Sequence, residues 1–556
     1  MSKEAAPRAH GAWFSLLPLT LAAGAASAIT AAYVLGVYLP SFNTPRTALA
    51  GVPHPPARPA PPALARRVML AMMDGLSFDL AHDLDELSDL RAAGAMRVLD
   101  PPFPTYTSPA LVSFVTGLDP RDHGIRLNGQ LTGVFGLDTV TRAAHDAGLA
   151  VTIARRGWEP FEEVMNPWRE PQTPFPLRAS PDAEVIPGWA RYEHWMWERE
   201  TGRAPERGLD LVYLPDADDA GHVHGAASSA YIAAAHRAGR LVERLARTLD
   251  LTKDALVIVS DHAHRAEGGH GGVEPEVRRA FFLGVGKPFQ RGVTLDPRTP
   301  RDVASTLSLL AGLRVPTSNL GRPMLDALDL DDPARARAFA GPFAQAAHFA
   351  CAIRRSPRCE EAGAITARLE AGDGAALAPA EALLDTIEGE RVAENAQRAS
   401  MASGGRWIAG ALSLAFAGAV VVQRRREALR GLSRAMPIVL VHGATYVAVM
   451  GALGYRASFS SILSAYYNRH TSLAGSAALL ATLLFAFFAR PDRLAPWVLL
   501  LGTFLPVALL AAFVGANHAV LPPPAAGAVL LILAPVVLSA SAASIAVRAL
   551  AAARRD

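Results

Sequence analysis

Two cysteines in 556 residues, Cys351 and Cys359, are too few and too poorly spaced to build a thiolate zinc site. They could close one small disulfide loop in an oxidising compartment or both stay free. An excess of one charge is missing as well. Lys and Arg number 54 against 51 Asp and Glu, a net +3. No basic stripe interleaved with aromatics stands out, so nothing marks a nucleic-acid partner. Charge at the middle of the apolar C-terminal runs is also lacking, and no inverted repeat is visible there, which leaves a transport role with little support.

What is present in quantity is apolar sequence, 51% of the chain and unevenly spread. Residues 12–38 form a nearly charge-free run of bilayer-crossing length. It exceeds a usual leader core and no small-residue cleavage site follows it, so it reads as an anchor, with a cleaved leader as the alternative. Further runs lie at about 406–422, 434–454, 473–489, 494–514 and 525–547. Arg424, Arg430, Arg434, Arg490, Arg493, Arg548, Arg554 and Arg555 mark ends that the positive-inside bias places in the cytoplasm, together with Lys3 and Arg8. The expected layout is then a cytoplasmic tip and anchor over 1–39, a Pro-rich linker over 40–66, and an extracytoplasmic catalytic domain over 67–345. A helical connector over 346–404 and a C-terminal domain of about five transmembrane helices over 405–556 complete it. Ala-, Arg- and Pro-rich composition suggests a GC-rich bacterium, hence an inner-membrane protein with a periplasmic catalytic domain and both termini cytoplasmic.

Within 67–345 four apolar segments read as buried strands: Arg67-Val-Met-Leu-Ala-Met-Met73, Asp210-Leu-Val-Tyr-Leu214, Ala255-Leu-Val-Ile-Val259 and Ala280-Phe-Phe-Leu-Gly284. Residues 227–249 read as a helix with Leu241, Leu245 and Leu249 on one stripe. Strands that lack polar alternation and are separated by helices predict an α/β fold, a mostly parallel sheet with helices on both faces. Ligands of such folds sit beyond the carboxyl ends of the strands. Asp74, Asp218 and Asp261 all fall there.

The segment Ser260-Asp-His262, followed by Gly268-Gly-His-Gly-Gly272, has the character of a two-metal site. Asp74, Asp218, His222, Asp261, His262 and His270 are the candidate ligands. Two ions about 4 Å apart suit phosphoryl transfer, because they neutralise phosphate charge and activate an oxygen nucleophile. The mixed Asp and His set suits Zn2+ and also admits Mn2+. Thr107 is the candidate nucleophile, since ligation could activate a hydroxyl that is weak on its own. On the residues alone, the commoner reading is that Thr105, Thr107 and Ser108 cap a helix beginning near Pro109.

Phe103-Pro-Thr-Tyr-Thr107-Ser-Pro, Val115-Thr-Gly-Leu-Asp-Pro-Arg-Asp-His-Gly-Ile125 and Asn128 resemble the nucleophile segment of the alkaline phosphatase superfamily, in its nucleotide pyrophosphatase/phosphodiesterase branch. The resemblance runs discontinuously over about 67–325, through Thr299-Pro-Arg-Asp-Val-Ala-Ser-Thr306 and Gly321-Arg-Pro323. It implies an alkaline-phosphatase-like sheet, Thr107 as nucleophile and Asn128 as the amide that steadies a phosphate oxygen. It also implies one ion held by Asp74, Thr107, Asp261 and His262, and another by Asp218, His222 and His270. Sulfatases of the superfamily need Cys or Ser followed by Pro and Arg; here Thr107 and Leu111 stand in those places. The membrane layout is similar to that of the ethanolamine-phosphate transferases of glycosylphosphatidylinositol assembly.

Several neighbours are weaker candidates. His224 and His264 read as partners of the ligands or as solvent-facing residues, and His123 as a support for its loop. The Trp-rich stretch 158–205, with Trp195 and Trp197, reads as a substrate lid or as a minor core. The functional expectation is a two-metal hydrolase of phosphate esters, foremost phosphodiesters, working through a covalent phospho-Thr107 intermediate. The alternatives are phosphomonoester hydrolysis, or transfer of a phosphoethanolamine-like headgroup to a lipid-linked acceptor. Partners are thus a phosphate ester, lipid-linked or not, and membrane lipids.

Overall fold

The computed structural model describes residues 58–126, 128, 137–156, 183–187, 189–202, 206–353, 357–390, 393, 425–453, 460 and 465–489. Eight strands form one sheet: β1 Arg67–Met73, β2 Gly94–Leu99, β3 Ala150–Arg155, β4 Ala183–Pro187, β5 Gly208–Leu214, β6 Ala255–Val259, β7 Ala280–Gly286 and β8 Val293–Arg298, in the order β4-β3-β5-β1-β6-β7-β2-β8. Pairing is parallel except where β7 meets β6 and β2.

Both faces of the sheet are covered, and this explains the continuous apolar reading of β1. Val68, Leu70 and Met72 enter one cluster, with Leu111, Phe114 and Val115 of helix α1 (Thr107–Thr116) and Leu307 and Leu310 of Asp302–Ala311. Met69, Ala71 and Met73 enter the other, with Tyr231, Val242 and Leu245 of Ser229–Arg247. Neighbouring residues of one strand point to opposite faces, so a strand covered on both sides must be apolar throughout. β1 and β5 share a buried ionic group: Asp210 of β5 pairs with Arg67 of β1 at 2.6 Å and with Arg199 at 2.8 Å.

The parallel trio β5-β1-β6 positions the site. Met73 lies opposite Leu214 and Met72 opposite Val259, so the three strands end together. Asp74, the helix α2 (Asp216–His224) with Asp218, and Ser260-Asp-His262 therefore leave the same edge side by side.

Two compact units are distinguished, one of Met1–Thr44, Ser400–Thr445 and Ala478–Asp556, the other of Pro45–Ala399 and Tyr446–Ala477. In the second, Cys351 and Cys359 are disulfide-bonded.

The fold corrects the expected all-α multi-span membrane domain: among the described residues no helix is long and apolar enough to cross a membrane. The run at 434–454 belongs to Arg425–Ala452, a helix that opens on Arg-Arg-Glu and contains Arg430, Arg434 and Pro437. The run at 473–489 belongs to Ala465–Ala489, which opens on Ala-Tyr-Tyr-Asn-Arg-His. A buried polar pair, His442 Nδ1 with Thr482 Oγ1 at 2.9 Å, interrupts the apolar character of both. The runs at 12–38, 406–422, 494–514 and 525–547 lie outside the described residues. The transferase-like membrane layout, the inner-membrane location with a periplasmic domain and cytoplasmic termini, and the lipid partners rested on these spans and are withdrawn.

Candidate metal centre

Two groups of potential ligands lie side by side, Asp74, Asp261 and His262 in one, Asp218, His222, His264 and His270 in the other. In the first, His262 Nε2 is 3.6 Å from Asp74 Oδ1 and 3.1 Å from Asp261 Oδ2. In the second, Asp218 Oδ2 is 3.4 Å from His222 Nε2, and Oδ1 is 3.6 Å from His270 Nε2. The groups meet where Asp218 Oδ1 lies 4.0 Å from His262 Nε2 and the His262 and His270 rings stack with centroids 3.6 Å apart.

Each carboxylate of the first group has one oxygen engaged by the protein. Tyr213 Oη donates to Asp74 Oδ2 at 2.5 Å, and the Gly75 N–H donates to Asp261 Oδ1 at 3.2 Å. The other oxygens, Asp74 Oδ1 and Asp261 Oδ2, are buried without a hydrogen-bond partner among the described residues. A buried charge left in this state is costly, and a cation is its natural complement. The donor set therefore fits divalent ions.

Burial, followed by the charges of Asp261 and Asp218, pushes the Asp74 carboxyl well above its ordinary range. Burial acts the same way on Asp218, but bonds from His222 and His264 outweigh it and hold that group well below the usual value. Burial and the nearby His262 push His270 well down, so its imidazole is neutral, as a ligand must be. His270 Nδ1 donates to the Thr105 carbonyl at 2.9 Å, which leaves Nε2 facing the cluster.

Thr107 is the first residue of α1, buried, with Oγ1 3.3 Å from His262 Nε2. It does not cap the helix: Tyr106 occupies that position, without a side-chain bond. Thr105 is not a cap either. Its hydroxyl accepts from the Gly271 N–H at 2.9 Å and donates to the Gly272 carbonyl at 3.0 Å, clamping the loop that carries His270. Asn128 Oδ1 accepts from the Ser108 N–H at 2.9 Å beside the start of α1, and the amide NH2 of Asn128 can only donate.

Of the two readings of His264, partner of a ligand fits the structure, whereas Gly221, Tyr213 and Gly75 were given no role by the sequence reading. His264 is buried, and its Nε2 is 2.8 Å from Asp218 Oδ1. Gly221 makes room for it, since a Cβ there would lie 2.5 Å from the His264 ring. Tyr213 was visible only as a strand residue. Gly75 takes a positive φ of 69°, and a Cβ would sit 2.8 Å from the Asp218 backbone. The neighbouring acids of α2 are engaged or solvated, with Asp216 paired to Arg156 at 2.9 Å and Asp219 exposed. His123 is buried among Pro109, Ser113 and Ile125, away from the ligands. Trp195 is buried under Arg199 in the sheet core, so it is no lid residue, whereas Trp197 is 47% exposed. The remaining tryptophans of 158–205 lie outside the described side chains.

Residues 68–267 match the family described as Type I phosphodiesterase / nucleotide pyrophosphatase. That stretch contains every candidate ligand except His270. Similar solved structures include murine ectonucleotide pyrophosphatase / phosphodiesterase 5 in an inactive form with AMP, at 15% identity and a TM-score of 0.38, covering 48% of this chain and 100% of that one. The human counterpart has 14% identity, a TM-score of 0.38, and coverage of 48% and 100%. No curated protein matches the chain. The family match supports a catalytic domain of the metal-dependent phosphodiesterase/phosphatase kind, acting on phosphate esters. It gives no support to a glycosylphosphatidylinositol-transferase-like protein.

Proposed function

We propose that this protein hydrolyses phosphodiesters at a two-metal centre, with Thr107 as the nucleophile. Asp74, Thr107, Asp261 and His262 would hold one divalent ion, and Asp218, His222 and His270 the other. When bound, such ions neutralise phosphate charge and lower the pKa of an oxygen nucleophile.

The observation that carries the reading is Thr107 itself. Its hydroxyl is buried at the start of α1, 3.3 Å from His262, beside two carboxylates that each keep one oxygen unengaged. The backbone N–H groups at the start of a helix favour an anion, and α1 begins at Thr107. Asn128, steered by the Ser108 N–H, offers its amide to a phosphate oxygen. Thr107, its proton released to solvent, attacks phosphorus while the bond to the leaving oxygen breaks, and that oxygen takes up a proton to depart as the alcohol. Water then cleaves the phospho-threonine and restores the hydroxyl. Thr105 and Tyr213 hold the ligands fixed throughout, so little reorganisation is required during reaction.

Hydrolysis of matched phosphodiester and phosphomonoester chromogens by the full chain tests the reading, with Zn2+, with Mn2+ and after chelation. Metal-restored diester cleavage that disappears in Thr107→Ala supports it. A preference for the monoester would replace diesterase by phosphatase chemistry, and activity indifferent to chelation would sink the two-metal scheme. No described residue favours an alcohol acceptor over water, so headgroup transfer is not carried forward.

A further inference from the structure

We infer that Ser460, far along the chain from every ligand, is a positioning residue for the loop that delivers His270; the inference rests on the two-metal reading above. The loop cannot hold itself. Gly268, Gly269 and Gly271 take positive φ values of 98°, 87° and 106°, so His270 sits in the least constrained type of backbone. Thr105 clamps the loop from the nucleophile side.

Ser460 clamps it from the other. Its Oγ accepts from the Gly272 N–H at 2.9 Å and donates to Glu274 Oε2 at 2.7 Å, while its own N–H reaches Glu274 Oε1 at 3.4 Å. The hydroxyl is buried and has both a donor and an acceptor partner. Gly272 leaves the necessary space, because a Cβ there would lie 2.6 Å from Ser460 Oγ and collide with the Glu274 carboxylate. Ser460 lies outside the matched residues 68–267, yet Tyr446–Ala477 belongs to the same compact unit as Pro45–Ala399. A segment outside the matched range thus supplies part of the frame of the metal centre.

Removing the hydroxyl takes from the Gly272 N–H its Ser460 acceptor and from Glu274 Oε2 its Ser460 donor. The loss falls on the ion held by Asp218, His222 and His270. Supporting bonds of this kind are worth ~10-fold or more in metal affinity.

The test titrates zinc into metal-free full-length chain against a competing chromophoric chelator, with thermal unfolding measured alongside. Ser460→Ala is expected to keep one tight ion and bind the second about ten-fold more weakly. Ser460→Thr, which keeps the hydroxyl, is expected to restore most of that affinity. Two ions bound by Ser460→Ala as tightly as by the unaltered chain would overturn the inference. So would equal weakening of both ions, which marks a general structural role. Should Ser460→Ala fail to fold, Glu274→Ala is read by the same criteria. If the unaltered chain binds fewer than two ions, the two-metal reading fails and the inference falls with it.

Discussion

Tyr213 stands on β5 and Asp74 directly follows the adjacent parallel strand β1, and the Tyr213 hydroxyl donates to Asp74 Oδ2 at 2.5 Å. The bond fixes the carboxylate with Oδ1 turned towards Asp261 and His262. Tyr213→Phe keeps the ring in the core and deletes only this donor. Zinc affinity at the Asp74 group should fall by ~10-fold or more, with a melting temperature close to that of the unaltered chain. Unchanged affinity would show that Asp74 needs no such anchor.

His264 does for Asp218 what Tyr213 does for Asp74, through the 2.8 Å contact to Oδ1. His264→Ala should weaken the ion at Asp218, His222 and His270 by about 10- to 100-fold and leave the Asp74 ion bound. Equilibrium zinc titration separates the two. Loss of the Asp74 ion instead would reverse the assignment.

Acid should destabilise the fold through His123. Burial pushes its imidazole down to about 3 from an ordinary value near 6.5. The unfolded chain therefore takes up this proton first, so the stabilisation is fully present above pH 6.5 and is lost as pH falls towards 3. In that window His123 alone contributes a slope of up to ~1.4 kcal/mol per pH unit. His123→Gln should flatten the acid limb of a urea-unfolding series between pH 6.5 and 4. Parallel limbs for the two proteins would contradict this.

Metal stabilisation should rise with pH, since burial and the neighbouring Asp261 and Asp218 raise Asp74, which must lose its proton to bind an ion. The gap between zinc-loaded and chelated melting temperatures should widen as pH increases above the ordinary carboxylate range, and widen less in Asp74→Asn, where only the remaining ligands still lose protons. A gap that narrows with pH would point to another group.

Much of this was legible in the residues, for physical reasons that also explain what was not. β1, β5, β6 and β7 are covered on both faces, so their apolar runs are continuous. β8 alternates half-buried and exposed residues and contains a proline, and β2 carries the buried Arg97, so neither resembles a core strand. Asp74, Asp218 and Asp261 could be picked out because strand ends are where ligands gather in such sheets. Tyr213 hides within an apolar strand and His264 has no motif spacing of its own. Ser460 is separated from Gly272 by 188 residues, and no local pattern could join them. The apolar runs at 434–454 and 473–489 were overread: hydropathy averages out the arginines, Pro437 and the His442–Thr482 pair that these two helices contain.

The most direct test of the central claim is rapid-quench mass spectrometry of the zinc-loaded chain during diester turnover, with Thr107→Ala beside it. A phosphoryl adduct on the peptide containing Thr107, formed and lost at the turnover rate, is the predicted result. The adduct and diester cleavage should both vanish in Thr107→Ala, by at least ~10^3-fold in rate, while bound zinc persists through the remaining ligands. Turnover by Thr107→Ala at the rate of the unaltered chain would contradict the account and make the centre one that activates water directly.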